Sequence, residues 1–252
     1  MTAPAPVAAD VGIVAALGVE VGFLSDRLKK VRRYSGPHHR VIEGEIDGRL
    51  VVLIVGGMGR DAARRSAALL IDGHRPRWII SAGFAGALDP SLKRDEVVLP
   101  SEIVDPHTPP IAVEALDLTD DGTGVFGLGF RRGRLLTVDA IVRTAVEKEL
   151  LRARFGADLL DMETSAVAQV CHERSVRFLS VRVISDEATT DLPKEVVTLM
   201  TRSGSYLIGS AVRAVWRRPS ALKDFWALHE HAQSAADRLA EATLAVIARL
   251  PI

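Results

Sequence analysis

Carboxylates at the ends of apolar runs are the first residues in this chain that could do chemistry. Glu20 follows the run VGIVAA, while Asp161, Met162 and Glu163 close LLDME. Arg182, Ser185 and Asp186 lie at the end of FLSVRVISD. Between them comes SAGFAG, residues 81–86, which carries Ser81, Gly83 and Phe84. If the apolar runs are strands of an α/β sheet, their carboxyl ends share one rim, and ligands bind there in such sheets. Acids and an arginine on one rim suit proton transfer and the binding of hydroxyls; the set does not suit hydride transfer. Taken singly, each residue reads more readily as a helix cap or a surface ion pair than as a catalytic group. Asp186, straight after a nearly continuous apolar run, is the hardest to explain as a solvated charge.

The elements that must position these residues follow from periodicity. Residues 11–16 read as a strand that runs into a helix over 19–30. Residues 40–45 and 50–55 read as strands joined at Asp47-Gly48. The run GGMG, residues 56–59, opens a helix over 60–72, closed by Gly73 and Pro76. It could cradle a phosphate on backbone N–H groups, but close helix–strand packing explains it equally well. It lacks both the Lys-Ser/Thr of a P-loop and the G-x-G-x-x-G spacing. Short strands are expected at 78–81, 96–99, 103–104 and 135–138, and a loop with little structure of its own at 105–129. A helix at 140–155, a strand at 159–162, a helix at 164–174, a strand at 177–184 and a long amphipathic helix at 222–250 complete the pattern. Strands apolar on both faces and alternating with helices imply an α/β fold: one three-layer domain, its mixed, largely parallel central sheet flanked by helices.

Composition narrows the partners. With 48% hydrophobic and 25% charged residues, the 252-residue chain can bury a sizeable core and is not intrinsically disordered. Its 32 basic residues balance 32 acidic ones, so no net field draws it to nucleic acid. A single cysteine, Cys171, excludes a disulfide scaffold and reads as a packed core thiol. The pairs His38-His39 and His229/His231 lack partner ligands at metal spacing, so neither metal nor cofactor is expected. No apolar run approaches the roughly 18 residues that span a bilayer, and the Ala/Pro-rich start, residues 1–10, reads as a flexible N-terminus without a signal. A cytoplasmic protein is the expectation.

The segments GIVAALGVEVGFL, GGMGRDAARRSAALL, SAGFAGAL, LLDMETSAVAQVC and FLSVRVISDEA resemble the nucleoside phosphorylase/nucleosidase superfamily. The nearest pattern is the methylthioadenosine/S-adenosylhomocysteine nucleosidase branch. Matching segments run in order over about residues 11–190, and DMETSA and VISD are the specific ones. The resemblance implies one domain over 11–252 and a homodimer. It implies an N-ribosyl hydrolase that cleaves the glycosidic bond of an adenosine-type nucleoside. In that reading Glu20 activates the water, Met162 and Glu163 hold the ribose, and Asp186 protonates the purine. Arg182 organises the carboxylates, with Asp161, Gly83 and Ser185 alongside. The chemistry fits: the leaving purine is a poor anion until protonated, so it needs an acid beside it, and a carboxylate near the sugar favours its developing positive charge.

Departures from the pattern qualify this. Phosphorolytic members hold phosphate with an arginine and a serine in the SAGF block, where this chain has Ser81 and Phe84. The aromatic residue that stacks on adenine is replaced by Ile141, which keeps apolar contact and loses stacking. About 30 residues, 192–221, are inserted before the last helix. Within them 205–218 reads either as a helix packed on the body or as a lid or membrane-surface element. A subgroup linked to hopanoid synthesis, which releases adenine from an adenosyl-hopane, would suit that insertion. A phosphorylase of such a bulky nucleoside and a non-catalytic nucleoside-binding relative are the alternatives.

Overall fold

The computed structural model describes residues 8–114, 116, 129–192 and 220–252. Strand β1 (Val11–Ala15) leads into α1 (Gly18–Asp26), followed by β2 (Lys29–Ser35), β3 (Arg40–Ile46) and β4 (Arg49–Val55). Helix α2 (Arg60–His74) precedes β5 (Trp78–Ala87), β6 (Val97–Asp105), β7 (Thr108–Ala112) and β8 (Phe130–Thr137). Then come α3 (Ala145–Phe155), β9 (Leu159–Asp161), α4 (Thr164–Glu173), β10 (Arg177–Asp186) and α5 (Ser220–Arg249).

The sheet runs β10-β6-β8-β9-β5-β1-β4-β3-β2, and β10 also pairs with β5. Five strands therefore close into a ring, β5-β10-β6-β8-β9, from which β1, β4, β3 and β2 extend as a wing. Parallel pairing joins β4, β1, β5 and β10, and also β6, β8 and β9. The other pairings are antiparallel, so the sheet is mixed, as expected.

Helices cover both faces, giving three layers. On one face α2 and α4 pack Ala63, Ala67, Leu70, Val167 and Cys171 over Val14, Val52, Ile54 and Ile79. Gly12 lets α2 close on the sheet, because a Cβ there would sit 2.0 Å from the Leu70 side chain. Cys171 is a fully buried thiol, as expected, pushed up to about 12 by burial. On the other face α1 and α5 bury Val21, Leu24, Leu239 and Val246 with Ile13, Leu53 and Val181. No helix among the described residues is long and apolar enough to cross a membrane.

Several elements differ from the reading of the sequence. The helix expected over 19–30 stops at Asp26, and Lys29–Ser35 is the exposed edge strand β2. Its charged side chains hide the alternation of a strand and also guard a free edge. Strand β5 runs on through Ala87, so the SAGFAG block lies within the sheet rather than beyond its end. The loop expected from residue 105 contains β7. Helix α3 begins at Ala145, not Ala140, because Thr144 accepts from the Glu147 N–H while Glu147 bonds back to Thr144. The N-terminus is tied down earlier than expected: Ala9 is buried and donates to the His74 carbonyl at 2.8 Å. Residues 193–219 of the insertion lie outside the described residues, and α5 begins at Ser220.

Candidate active site

Glu20 sits in the first turn of α1, where its Oε2 accepts from the N–H groups of Ala16 and Leu17 at 3.0 and 2.7 Å. That is the geometry of a helix-start cap. A cap alone would face water, yet Glu20 is 6% exposed and its Oε1 accepts from Phe84 N across the sheet at 3.1 Å. Burial pushes its carboxyl above the ordinary range, against the pull of those N–H donors and of Arg182. Gly83 beside it has no room for a side chain: a Cβ would lie 2.8 Å from Glu20 Oε1 and 3.0 Å from Arg182 Nη1.

Arg182 and Asp161 are buried behind this point. Arg182 Nη2 donates to Asp161 Oδ2 at 2.9 Å, to Ser81 Oγ at 2.7 Å and to Thr164 Oγ1 at 2.6 Å. Its Nη1 donates to the carbonyls of Ser81 and Val181, both at 3.2 Å. Asp161 also accepts from Thr137 Oγ1 at 2.8 Å and from Thr164 N at 2.9 Å, which starts α4. Asp161, expected to touch substrate, is thereby committed to Arg182 and α4. Thr137 and Thr164, to which the sequence reading gave no role in the site, complete the contacts of this pair.

Glu163 reaches the same cavity from the start of α4. Its Oε1 accepts from Gly59 N at 2.6 Å and its Oε2 from Met162 N at 3.3 Å. Burial, and then the Asp161 carboxylate beside it, push Glu163 up to about 8. The GGMG loop thus serves Glu163: Gly57 and Gly59 have φ of +92° and +90°, and a Cβ at Gly56 would meet Ser66 Oγ at 1.8 Å.

Glu20, Glu163, Arg182, Gly83 and Phe84 line one cavity together with Ser81. Asp186 lies further along the same strand pair. Arg182 is in register with Gly83 and Asp186 with Gly86, so the acid stands about 10 Å beyond, at ~3.3 Å per strand residue. It is 8% exposed, with Ser185 Oγ donating to Oδ1 at 2.7 Å and Lys148 Nζ to Oδ2 at 2.6 Å. Lys148 is the residue the sequence hid most completely, as one charge among several in EKELLRAR. Ile141 is partly buried in the loop between β8 and α3. Two residues on, the Arg143 carbonyl accepts from Leu192 N at 2.8 Å, which brings that loop beside the segment after Asp186.

The chain matches the family model described as the phosphorylase superfamily over residues 10–248. The chain belongs to the phosphorylase superfamily. Among curated superfamily members, the 5′-methylthioadenosine/S-adenosylhomocysteine nucleosidase of Tolumonas auensis is 28% identical over 221 residues, 79% of this chain and 96% of that protein. The fold matches the corresponding nucleosidase of Neisseria meningitidis, in complex with methylthio-immucillin-A, at a TM-score of 0.71 and 20% identity, covering 95% of this chain and 99% of that one. It matches the Colwellia psychrerythraea enzyme, in complex with adenine, at 0.71 and 22% identity, with 96% of each chain covered. A futalosine hydrolase mutant of Helicobacter pylori matches at 0.66 and 16% identity, covering 92% of this chain and 97% of that one.

Proposed function

We propose that this superfamily member is a purine nucleosidase, an N-ribosyl hydrolase acting on an adenosine-type nucleoside. The observation that carries the reading is the spacing along β5 and β10. Two carboxylates and Arg182 meet at the Gly83 register, and a third carboxylate stands at the Gly86 register. A nucleoside is long enough to lay its sugar against the first group and its base against Asp186.

In this reading the C1′–N9 bond breaks with its electron pair going to the purine, and N7 takes the proton of Asp186. Glu20 accepts a proton from water as the water oxygen bonds C1′. Burial raises the proton affinity of Glu20, and that makes it a stronger base. Glu163, held by Gly59, orients the ribose hydroxyls over Met162, while Ile141 gives the base an apolar contact.

Hydrolysis is favoured over phosphorolysis by how Arg182 and Ser81 are used. Their Nη and Oγ groups are joined to each other and to Asp161 and Thr164, and Phe84 N is taken by Glu20. Methylthioadenosine, adenosylhomocysteine, adenosine and inosine, each with and without phosphate, are the test. Base released without phosphate is the expected result. A phosphate requirement would instead favour a phosphorylase, and silence on all four would overturn this reading in favour of lipid-linked nucleosides or a non-catalytic role.

A further inference from the structure

The one buried residue of α3 is a lysine. Lys148 is 1% exposed, whereas Val146 and Leu150, two positions either side, stand 66% and 65% exposed. A buried ammonium is costly unless its N–H groups are satisfied. Lys148 meets that condition, donating to Asp186 Oδ2 at 2.6 Å and to the carbonyls of Glu187 at 2.7 Å and Thr190 at 3.1 Å. Packing alone does not call for a charge here, because well-packed apolar residues often replace a buried ion pair without loss of stability. The lysine is accounted for by what it does to its partner.

We propose that Lys148 is a positioning residue for the acid step, fixing Asp186 and supplying the charge that balances it once its proton has left. This rests on the reading of Asp186 as the general acid. In that step the proton passes from Asp186 to N7 and the C1′–N9 electron pair stays with the base. Asp186 is left as a carboxylate with little water around it. Lys148 keeps its own protons and lies against Oδ2 throughout, while Ser185 holds Oδ1. Both oxygens are thus pinned and the carboxyl cannot swing away from the base. A fixed charge aimed where new charge develops costs no reorganisation as the bond breaks.

The test compares two leaving groups. One is the adenine nucleoside cleaved fastest of those above; the other is 4-nitrophenyl β-D-ribofuranoside, whose phenolate leaves without a proton. Lys148→Met is expected to lower kcat on the adenine nucleoside by about 10²-fold with KM changed by less than ~3-fold. Its loss on the nitrophenyl riboside should stay within about 3-fold. Lys148→Gln, which retains a donor for the two carbonyls, is the second variant should Lys148→Met fail to fold, and the same selectivity is expected of it. Asp186→Asn separates the two ideas. If it spares the adenine nucleoside, the acid reading falls and this inference with it, as it also does if the wild type cleaves nothing. If Asp186→Asn is selective while the Lys148 variants slow both substrates alike, or neither, Lys148 is only a structural support and the inference is overturned.

Discussion

The backbone N–H of Gly59 donates to Glu163 Oε1 at 2.6 Å across 104 residues of sequence. Gly59 has φ +90° and ψ 164°, a conformation open almost only to glycine. The start of α2 is in this way shaped around the carboxylate that begins α4.

Gly59→Ala is therefore expected to cost about 1–3 kcal/mol of stability and to disturb Glu163 as well. Thermal unfolding should show the loss, and under the proposed role of Glu163 in holding ribose KM for a nucleoside should rise more than kcat falls. An unchanged melting temperature would mean that the loop tolerates a side chain.

The raised Glu163 pKa has a definite sign. Unfolded, the group titrates near 4.5; folded, near 8. The stabilisation this brings is full below 4.5, fades as pH rises through that window and is gone above about 8. Glu163→Gln keeps an acceptor for Gly59 and does not titrate. The stability of the wild type relative to that variant should fall between pH 5 and pH 8 and then level off. A difference that stays flat over this range would contradict the shift.

Arg182→Met would leave Asp161 buried without its cation. Breaking such a pair typically costs about 3–5 kcal/mol, which at this chain length lowers Tm by roughly 6–20 °C. Differential scanning fluorimetry reads this directly. A drop of only a degree or two would mean that Thr137 and Thr164 suffice to hold Asp161.

Asp186→Asn should reduce adenine release by about 10²–10⁴-fold. It also leaves a single amide oxygen where Asp186 offers two, one to Lys148 Nζ and one to Ser185 Oγ, so a lowered Tm accompanies the loss of activity. Adding Lys148→Met to that variant should restore much of the Tm and none of the activity. Melting and base release measured on the same two preparations decide it.

Much of this site is readable from residue types set against strand ends. Glu20, Glu163, Arg182 and Asp186 each follow an apolar run, and three of them come together in one cavity. What sequence could not convey is which carboxylate faces inward on its neighbours. Asp161 and Glu163 are two residues apart, yet one is committed to Arg182 and the other to the cavity. Lys148 was illegible for a related reason. Its helix has apolar residues facing out and a cation facing in, and binary patterning reads that in reverse. The edge strand β2 was lost to its own charges. The Thr144-x-x-Glu147 box, by contrast, was visible and would have placed the start of α3 correctly.

The ring of strands governs when in folding the site comes into being. Its closing seam joins residues 78–87 to residues 177–186, so the chain between them must be searched through before the seam forms. Contacts of such separation form slowly. A ribosome that has released only the first 170 residues has made Glu20, Gly59 and Glu163, but neither Arg182 nor Asp186. Glu20 and Glu163 are then made without the cation that shares their cavity, and β10, the last strand of the ring to emerge, brings both Arg182 and the third carboxylate.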